Sequence, residues 1–322
     1  MGTEETTSTP PDAVTYRGTW ERRGRSLNAA AVAGLLGIGL LYSYGQSTFA
    51  TIAMIAQGGF GTAFEEGGNL FAMLAHRAEL AKNPIRISLL CSQFLLMLLP
   101  TLWIVRRWHT ADVSAYLRLQ PVSLRMILLA VLATVFFFPT NVYVSGLLVG
   151  GLNIPQELIE INQKVFTASS AGELLFLVIV VGLTPAICEE TLFRGYAQRT
   201  FERTMGWKSI LLVGLVFGLY HVQPLGLFSL SGLGVLFGYF YYASRSLVPG
   251  MAAHFTNNLL AVVSLSSAPT TGDVDLNAPS GEAVLLTLPL TVAMVYAFQK
   301  TLKKNATALL LQHPQSRDQP VR

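Results

Sequence analysis

Residues 174–194 read LLFLVIVVGLTPAICEETLFR, an uncharged apolar run that ends in two adjacent carboxylates, Glu189 and Glu190, with Arg194 close behind. The run is continuous rather than alternating, which indicates a helix buried in apolar surroundings and not a half-exposed strand. A charge at bilayer depth costs about 2.5–3.5 kcal/mol on insertion scales. Two acids at the end of such a run therefore need a physical reason, and the rest of the chain has to supply it.

Comparable runs recur on both sides of this one. Spans are expected at about 27–49, 85–105, 126–149, 173–193, 209–225, 227–242, 247–265 and 284–299. Each is close to the ~20 residues that a helix needs to cross the hydrocarbon core. Of the 322 residues 52% are hydrophobic and only 12% charged, about half the ~25% charged content of a soluble domain. The expected fold class is therefore all-α, a polytopic membrane helix bundle of about eight transmembrane helices. With the N-terminus inside, every Lys and Arg except Arg77, Lys82, Arg86 and Lys164 falls in an inner segment. That asymmetry places both termini in the cytoplasm. It also accounts for the net charge of +4 without invoking nucleic acid as a partner.

The expected organisation is a polar cytoplasmic tail over 1–26, disordered in its first 25 residues, a helix bundle over 27–299, and a basic cytoplasmic tail over 300–322. No apolar h-region precedes a cleavage site, so 29–42 reads as part of the first span rather than a signal peptide. Pro139 should kink the third span, and an amphipathic helix is expected around 68–82. A tight turn at Gln223-Pro224-Leu225-Gly226 and an acidic loop over 266–283 are expected later in the chain. Gly234 and Gly238 form a GxxxG pair, which allows close helix packing. Cys91 and Cys188 both lie in apolar runs with no CxxC or Cys/His spacing, so neither a disulfide framework nor a zinc knuckle is indicated.

Apart from groups at span ends, the ionisable residues within the spans are Glu189, Glu190, His221 and His254. Helix geometry separates the two acids. Glu190 and Arg194 are i and i+4 with the acid N-terminal, the favourable order for an ion pair. Glu189 is rotated about 100° away and stays free of that partner. His254 and Asn258 share a helix face, whereas Asn257 is expected to point elsewhere. Phe217 precedes His221 by one turn. Taken singly, each of these groups is explained by a helix-end charge or an interhelical hydrogen bond. Together, on three successive segments, they describe one polar pocket.

Such a pocket suits hydrolysis. Glu189 would take a proton from a water with help from His221, while His254 and Asn258 would donate to the oxyanion of a tetrahedral intermediate. The same Glu189, His221 and His254 could instead hold a divalent metal such as zinc, since two imidazoles, a carboxylate and a water make a catalytic zinc site. HExxH, GxSxG, a Ser/His/Asp arrangement and a Gly-rich phosphate loop are all absent from the sequence.

Three ordered motifs carry a family resemblance: Glu189-Glu190-xxx-Arg194, Phe217-xxx-His221 and His254-xxx-Asn258. They resemble the motifs of the CPBP family, the CAAX proteases and bacteriocin-processing enzymes, also known as ABI or type II CAAX prenyl endopeptidase-like intramembrane proteases. The resemblance covers about 172–265, the expected catalytic core. It implies a multi-pass membrane hydrolase in which Glu189 activates water, His221 assists, His254 and Asn258 stabilise the oxyanion, and Glu190, Arg194 and Phe217 support the site. It further implies a membrane-embedded or lipidated peptide as substrate. Rival classes are a non-catalytic scaffold or bacteriocin-immunity protein that keeps the pocket for binding, and a transporter using the same groups as a proton or metal relay. A transporter would show paired repeats, and here the polar residues are confined to one half of the chain.

Overall fold

The computed structural model describes residues 14–56, 78–151, 164–221, 226–267 and 279–312. Residues 68–77 of the expected amphipathic helix, the Gln223–Leu225 turn and residues 268–278 of the acidic loop lie outside the described residues. So do residues 1–13 and 313–322. Among the described residues there is no strand, and eight long helices account for the architecture. They are α1 (Leu27–Ala56), α2 (78–109), α3 (Leu124–Gly151), α4 (Ala171–Met205), α5 (Lys208–Tyr220), α6 (Leu227–Ser244), α7 (Val248–Ser267) and α8 (Gly281–Gln312). Six of them, α1–α4, α6 and α8, are long and apolar enough to cross a membrane, while α5 is apolar but shorter. The chain is an integral, multi-pass membrane protein.

The bundle buries polar side chains and exposes apolar ones. Leu36, Tyr44, Leu285 and Leu286 are each more than 60% exposed, whereas Arg86, Glu190, Arg194 and Gln198 are fully buried. That inversion is what an apolar solvent demands: leucine gains nothing by leaving lipid, while every polar group must find a partner inside.

α4 organises the packing. It lies against α1, α2, α5 and α7, and α3 packs α6, α7 and α8 behind them. One apolar core joins α1, α2, α4 and α5 through Leu35, Ile38, Met97, Leu192, Phe193 and Phe217. A second joins α3, α6, α7 and α8 through Met126, Leu233, Phe237, Ala253 and Phe298. The α5–α6 contact is very close. A Cβ on Gly234 would stand 2.7 Å from the Gly214 carbonyl oxygen and 2.8 Å from its Cα, so the two backbones touch.

The expected boundaries of three segments are corrected. The fourth span, expected over about 173–193, runs on as α4 to Met205 and carries Arg199 and Arg203 within the helix. Several polar residues of this extension bond to neighbouring helices. Tyr196 donates to the Ala30 carbonyl at 2.6 Å, and Gln198 to the Gly238 carbonyl at 2.9 Å. Glu202 takes both guanidinium nitrogens of Arg118 at 2.7 and 2.8 Å, and Arg245 as well. The fifth span, expected over about 209–225 with His221 inside it, instead ends as α5 at Tyr220 with His221 as its C-cap.

Residues 14–25, expected in a disordered tail, fold onto the bundle. A short helix at Thr19–Arg22 brings Glu21 against His109 at 2.7 Å and against Arg203. Gly18 N–H donates to the His109 carbonyl at 2.8 Å, and Trp20 packs on Trp108 with ring centroids 4.8 Å apart. Burial acts to raise the Glu21 pKa, but the hydrogen bonds and charges of Arg203 and His109 outweigh it and hold this carboxyl below its ordinary value of 4.5.

Candidate active site

The site is assembled where α4, α5 and α7 converge, with α2 closing one side. Its backbone has irregular turns at the relevant places. Hydrogen bonding widens to the π pattern over Gln93–Leu98 in α2, and over Val178–Leu183 and Thr191–Gln198 in α4. Such widened turns are frequent at functional sites. α5 has 13 residues, about 20 Å at 1.5 Å per residue, so it stops short of spanning an apolar core about 30 Å thick. His221 therefore sits at a helix end inside the protein, and its Nδ1–H donates to the Phe217 carbonyl at 2.8 Å.

Glu190 is the buried anchor. Its Oε1 accepts from Arg194 at 2.6 Å and from His254 Nδ1 at 2.8 Å, and none of the side chain is exposed. Arg194 also donates to the Gly234 carbonyl at 3.0 Å, reached because α6 carries no side chain there. Its guanidinium lies 4.6 Å from the Phe217 ring centroid and 5.5 Å from that of Phe237. The i,i+4 pair expected from the sequence is present. What spacing could not reveal is the second bond from Glu190, across to α7. It ties the supporting acid to His254.

Glu189 faces the other way. Its Oε2 stands 3.9 Å from His221 Nε2 and 3.9 Å from His254 Nε2. A carbonyl and a carboxylate can only accept, so both histidines carry a proton on Nδ1. Both Nε2 atoms are then turned toward Glu189. A water bonded at about 2.8 Å to both partners of either pair would span 3.9 Å at an angle of about 90°. Phe217 fixes the two rings edge-on, with centroids 4.8 Å from His221 and 5.8 Å from His254. Phe237 stacks on His254 at 5.3 Å.

These groups line a cavity of about 450 Å³ that also includes Tyr42, Gln93, Tyr220, Asn257 and Asn258. That volume is in the range of small-molecule and cofactor sites, about 300–1,000 Å³. Asn258 lies beside the cluster and donates through Nδ2 to the Val181 carbonyl at 2.8 Å. One of its two amide hydrogens remains for another acceptor. Asn257, expected to point elsewhere, lines the same cavity and donates to Asn258 Oδ1 at 3.1 Å. Glu189, His221, His254 and Asn258 thus share one cavity with Phe217 in its wall, while Glu190 and Arg194 are buried outside its lining.

Sequence reasoning missed Gln93. It is 2% exposed, and its Nε2 donates to Glu189 Oε1 at 2.8 Å. The available signal was an amide set in the otherwise apolar stretch Phe94–Leu99 and Leu89–Leu90.

The donor set of Glu189, His221 and His254 is chemically one that zinc accepts. Tetrahedral ligands at about 2.0–2.1 Å from zinc stand about 3.4 Å from one another, and the separations here are wider at 3.9 Å. Among the described residues no group of three or more His, Cys, Asp or Glu is spaced to hold a metal ion. These side chains do not close around zinc.

Residues 171–260 match the family model described as Type II CAAX prenyl endopeptidase Rce1-like. The matched segment runs from the start of α4 into α7 and contains all of the motif residues: Glu189, Glu190, Arg194, Phe217, His221, His254 and Asn258. The match covers the same part of the chain as the resemblance read from those motifs. No curated protein and no solved structure matches the chain.

Proposed function

We propose that this chain, with its Rce1-like segment at the centre, is an intramembrane endopeptidase that hydrolyses a peptide bond of a membrane-embedded or lipidated substrate. The observation that carries the reading is the position of Glu189 Oε2, 3.9 Å from each of two imidazole Nε2 atoms in a cavity of about 450 Å³. A water held there donates one hydrogen to Glu189 Oε2 and the other to His221 Nε2. Its lone pair is then directed at the substrate carbonyl carbon.

Glu189 takes the proton as the oxygen–carbon bond forms. The carbonyl becomes an oxyanion, which meets the remaining Nδ2 hydrogen of Asn258. It also meets the Nε2–H of His254, whose ring Glu190 holds through Nδ1. The proton on Glu189 passes to the leaving nitrogen as the C–N bond breaks, and the carboxylate is regenerated. Oxyanion donors of this kind contribute about 10²–10³ in rate. On this reading Glu190 is more than a helix-end charge, because it sets the orientation of His254.

The test uses purified protein in proteoliposomes, with a farnesylated CAAX peptide and its unlipidated counterpart as probes. Comparative proteomics of cells carrying wild type or Glu189→Gln would supply the native substrate. Wild type should release a new peptide terminus, and Glu189→Gln should lower the rate by about 10²–10⁴-fold while still inserting in the membrane. Full turnover by Glu189→Gln would overturn the assignment of the base. Turnover that survives exhaustive chelation supports the metal-free route, and loss that zinc restores would replace it with the metal-dependent one.

A further inference from the structure

Gln93 sits outside the segment that matches the family model, on α2, in the apolar stretch LLCSQFLLMLL over residues 89–99. A primary amide buried among such residues is unfavourable unless it is hydrogen-bonded. Its Nε2 is bonded twice, to Glu189 Oε1 at 2.8 Å and to Tyr42 Oη at 3.4 Å. A carboxylate can only accept, so the amide must present its nitrogen to Glu189. The amide oxygen then faces away and, among the described residues, is buried without a hydrogen-bond partner. What the nitrogen holds is the side chain placed as the base.

The two oxygens of Glu189 are thereby made different. Oε1 is tied to α2 through Gln93, while Oε2 is directed between His221 and His254. A glutamate has three rotatable side-chain bonds. A carboxylate attached only to α4 would sample rotamers in which neither oxygen meets the imidazoles. Gln93 also opens the widened turn Gln93–Leu98, so the irregular backbone of α2 begins at the residue that reaches across.

We propose that Gln93 is a positioning residue for Glu189, and that the N-terminal helices thereby complete a site whose motifs all lie in the second half of the chain. The proposal rests on the endopeptidase reading for its kinetic consequence, but not for its structural one. Full-length Gln93→Leu, Gln93→Glu and Gln93→His are compared with wild type in proteoliposomes. Gln93→Leu keeps the apolar packing and removes the donor. Gln93→Glu opposes a second carboxyl to Glu189. Gln93→His restores a donor of shorter reach.

Gln93→Leu should lower kcat by roughly 10–100-fold with KM within about 2-fold, as expected when a reacting group is misplaced while substrate binding is kept. Gln93→Glu should fall at least as far, and Gln93→His should recover part of the loss. A wild-type kcat in Gln93→Leu, or an effect confined to KM, would overturn the proposal. A second readout is independent of turnover. With ¹³C-labelled glutamate, the infrared difference between wild type and Glu189→Gln isolates the Glu189 carboxylate band. Gln93→Leu should shift that band, and an unshifted band would also overturn the proposal. If wild type cleaves no probe or native substrate, the catalytic reading fails by itself and the infrared measurement still decides Gln93. Should Gln93→Leu fail to fold, the His and Glu variants carry the same comparison.

Discussion

Replacing Arg194 by methionine should destabilise the bundle severely, and replacing Glu190 at the same time should restore most of the loss. Arg194 and Glu190 are 2.6 Å apart, and neither side chain is exposed at all. Methionine fills the volume of the arginine stem but removes the counter-ion, leaving Glu190 buried with only the His254 bond at 2.8 Å. Removing one partner of a buried ion pair costs about 3–5 kcal/mol. At roughly 2 °C per kcal/mol for a chain of this size, the thermal midpoint should fall by about 6–10 °C. Replacing both members of such a pair with apolar residues is neutral, or stabilising by about 1–4 kcal/mol. Glu190→Met/Arg194→Met should therefore unfold close to the wild-type temperature. Its turnover should nonetheless stay low, because His254 Nδ1 no longer has the acceptor that orients it. The assay is tryptophan fluorescence during thermal unfolding in detergent, run for both single variants and the double variant, with proteoliposome turnover measured on the same samples. If the double variant is as unstable as the two single variants summed, to within about 0.5 kcal/mol, the two residues do not act as a pair and the reasoning is refuted.

Three further outcomes are expected. Gly234→Ala places a Cβ 2.7 Å from the Gly214 carbonyl oxygen, so α5 and α6 must separate, at a cost of about 1–3 kcal/mol; Gly37→Ala, with open space at its Cβ, should be neutral or up to about 1 kcal/mol stabilising, and a thermal-midpoint comparison of the two checks the packing. Asn258→Leu removes the bond to the Val181 carbonyl at 2.8 Å and should lower turnover by about 10²-fold while lowering stability by only about 1 kcal/mol; equal turnover would remove Asn258 from the oxyanion site. Because Glu21 is held below its ordinary value of 4.5 by Arg203 and His109, against the effect of burial, its contribution to the docking of residues 14–25 should be lost as the pH falls below about 4.5. Trp20 fluorescence, sensitive to its contact with Trp108, should report that acid change, and Glu21→Gln should remove it.

Some of the site was visible in the linear order of residues. Glu190 and Arg194 are four apart on one helix, so their pairing follows from 3.6 residues per turn. The apolar runs around them left little choice but membrane helices. The extent of α4 was hidden, since residues 194–203 contain three arginines, a glutamine and a glutamate and read as a loop in water. Their helix survives because carbonyls and side chains of α1, α6 and the 113–118 segment hydrogen-bond to each of Tyr196, Gln198, Thr200 and Glu202. The short N-terminal helix was hidden for the same reason: Glu21, His109 and Arg203 are far apart in sequence and meet only after folding.

The sequence alone therefore determined that this is a multi-pass helical membrane protein, which residues carry its motifs, and which of the two adjacent acids pairs within its own helix. Those are properties of composition and of spacing along a single helix, where geometry is the same in every protein. The tertiary structure decided that Glu190 also holds His254, that Asn257 shares the cavity with Asn258, that α5 ends at Tyr220 with His221 capping it, and that Gln93 reaches Glu189 from the adjacent helix α2. These depend on how helices are rotated and paired. An apolar run in a membrane is hydrophobic on every face, so its periodicity carries no record of which face meets which neighbour.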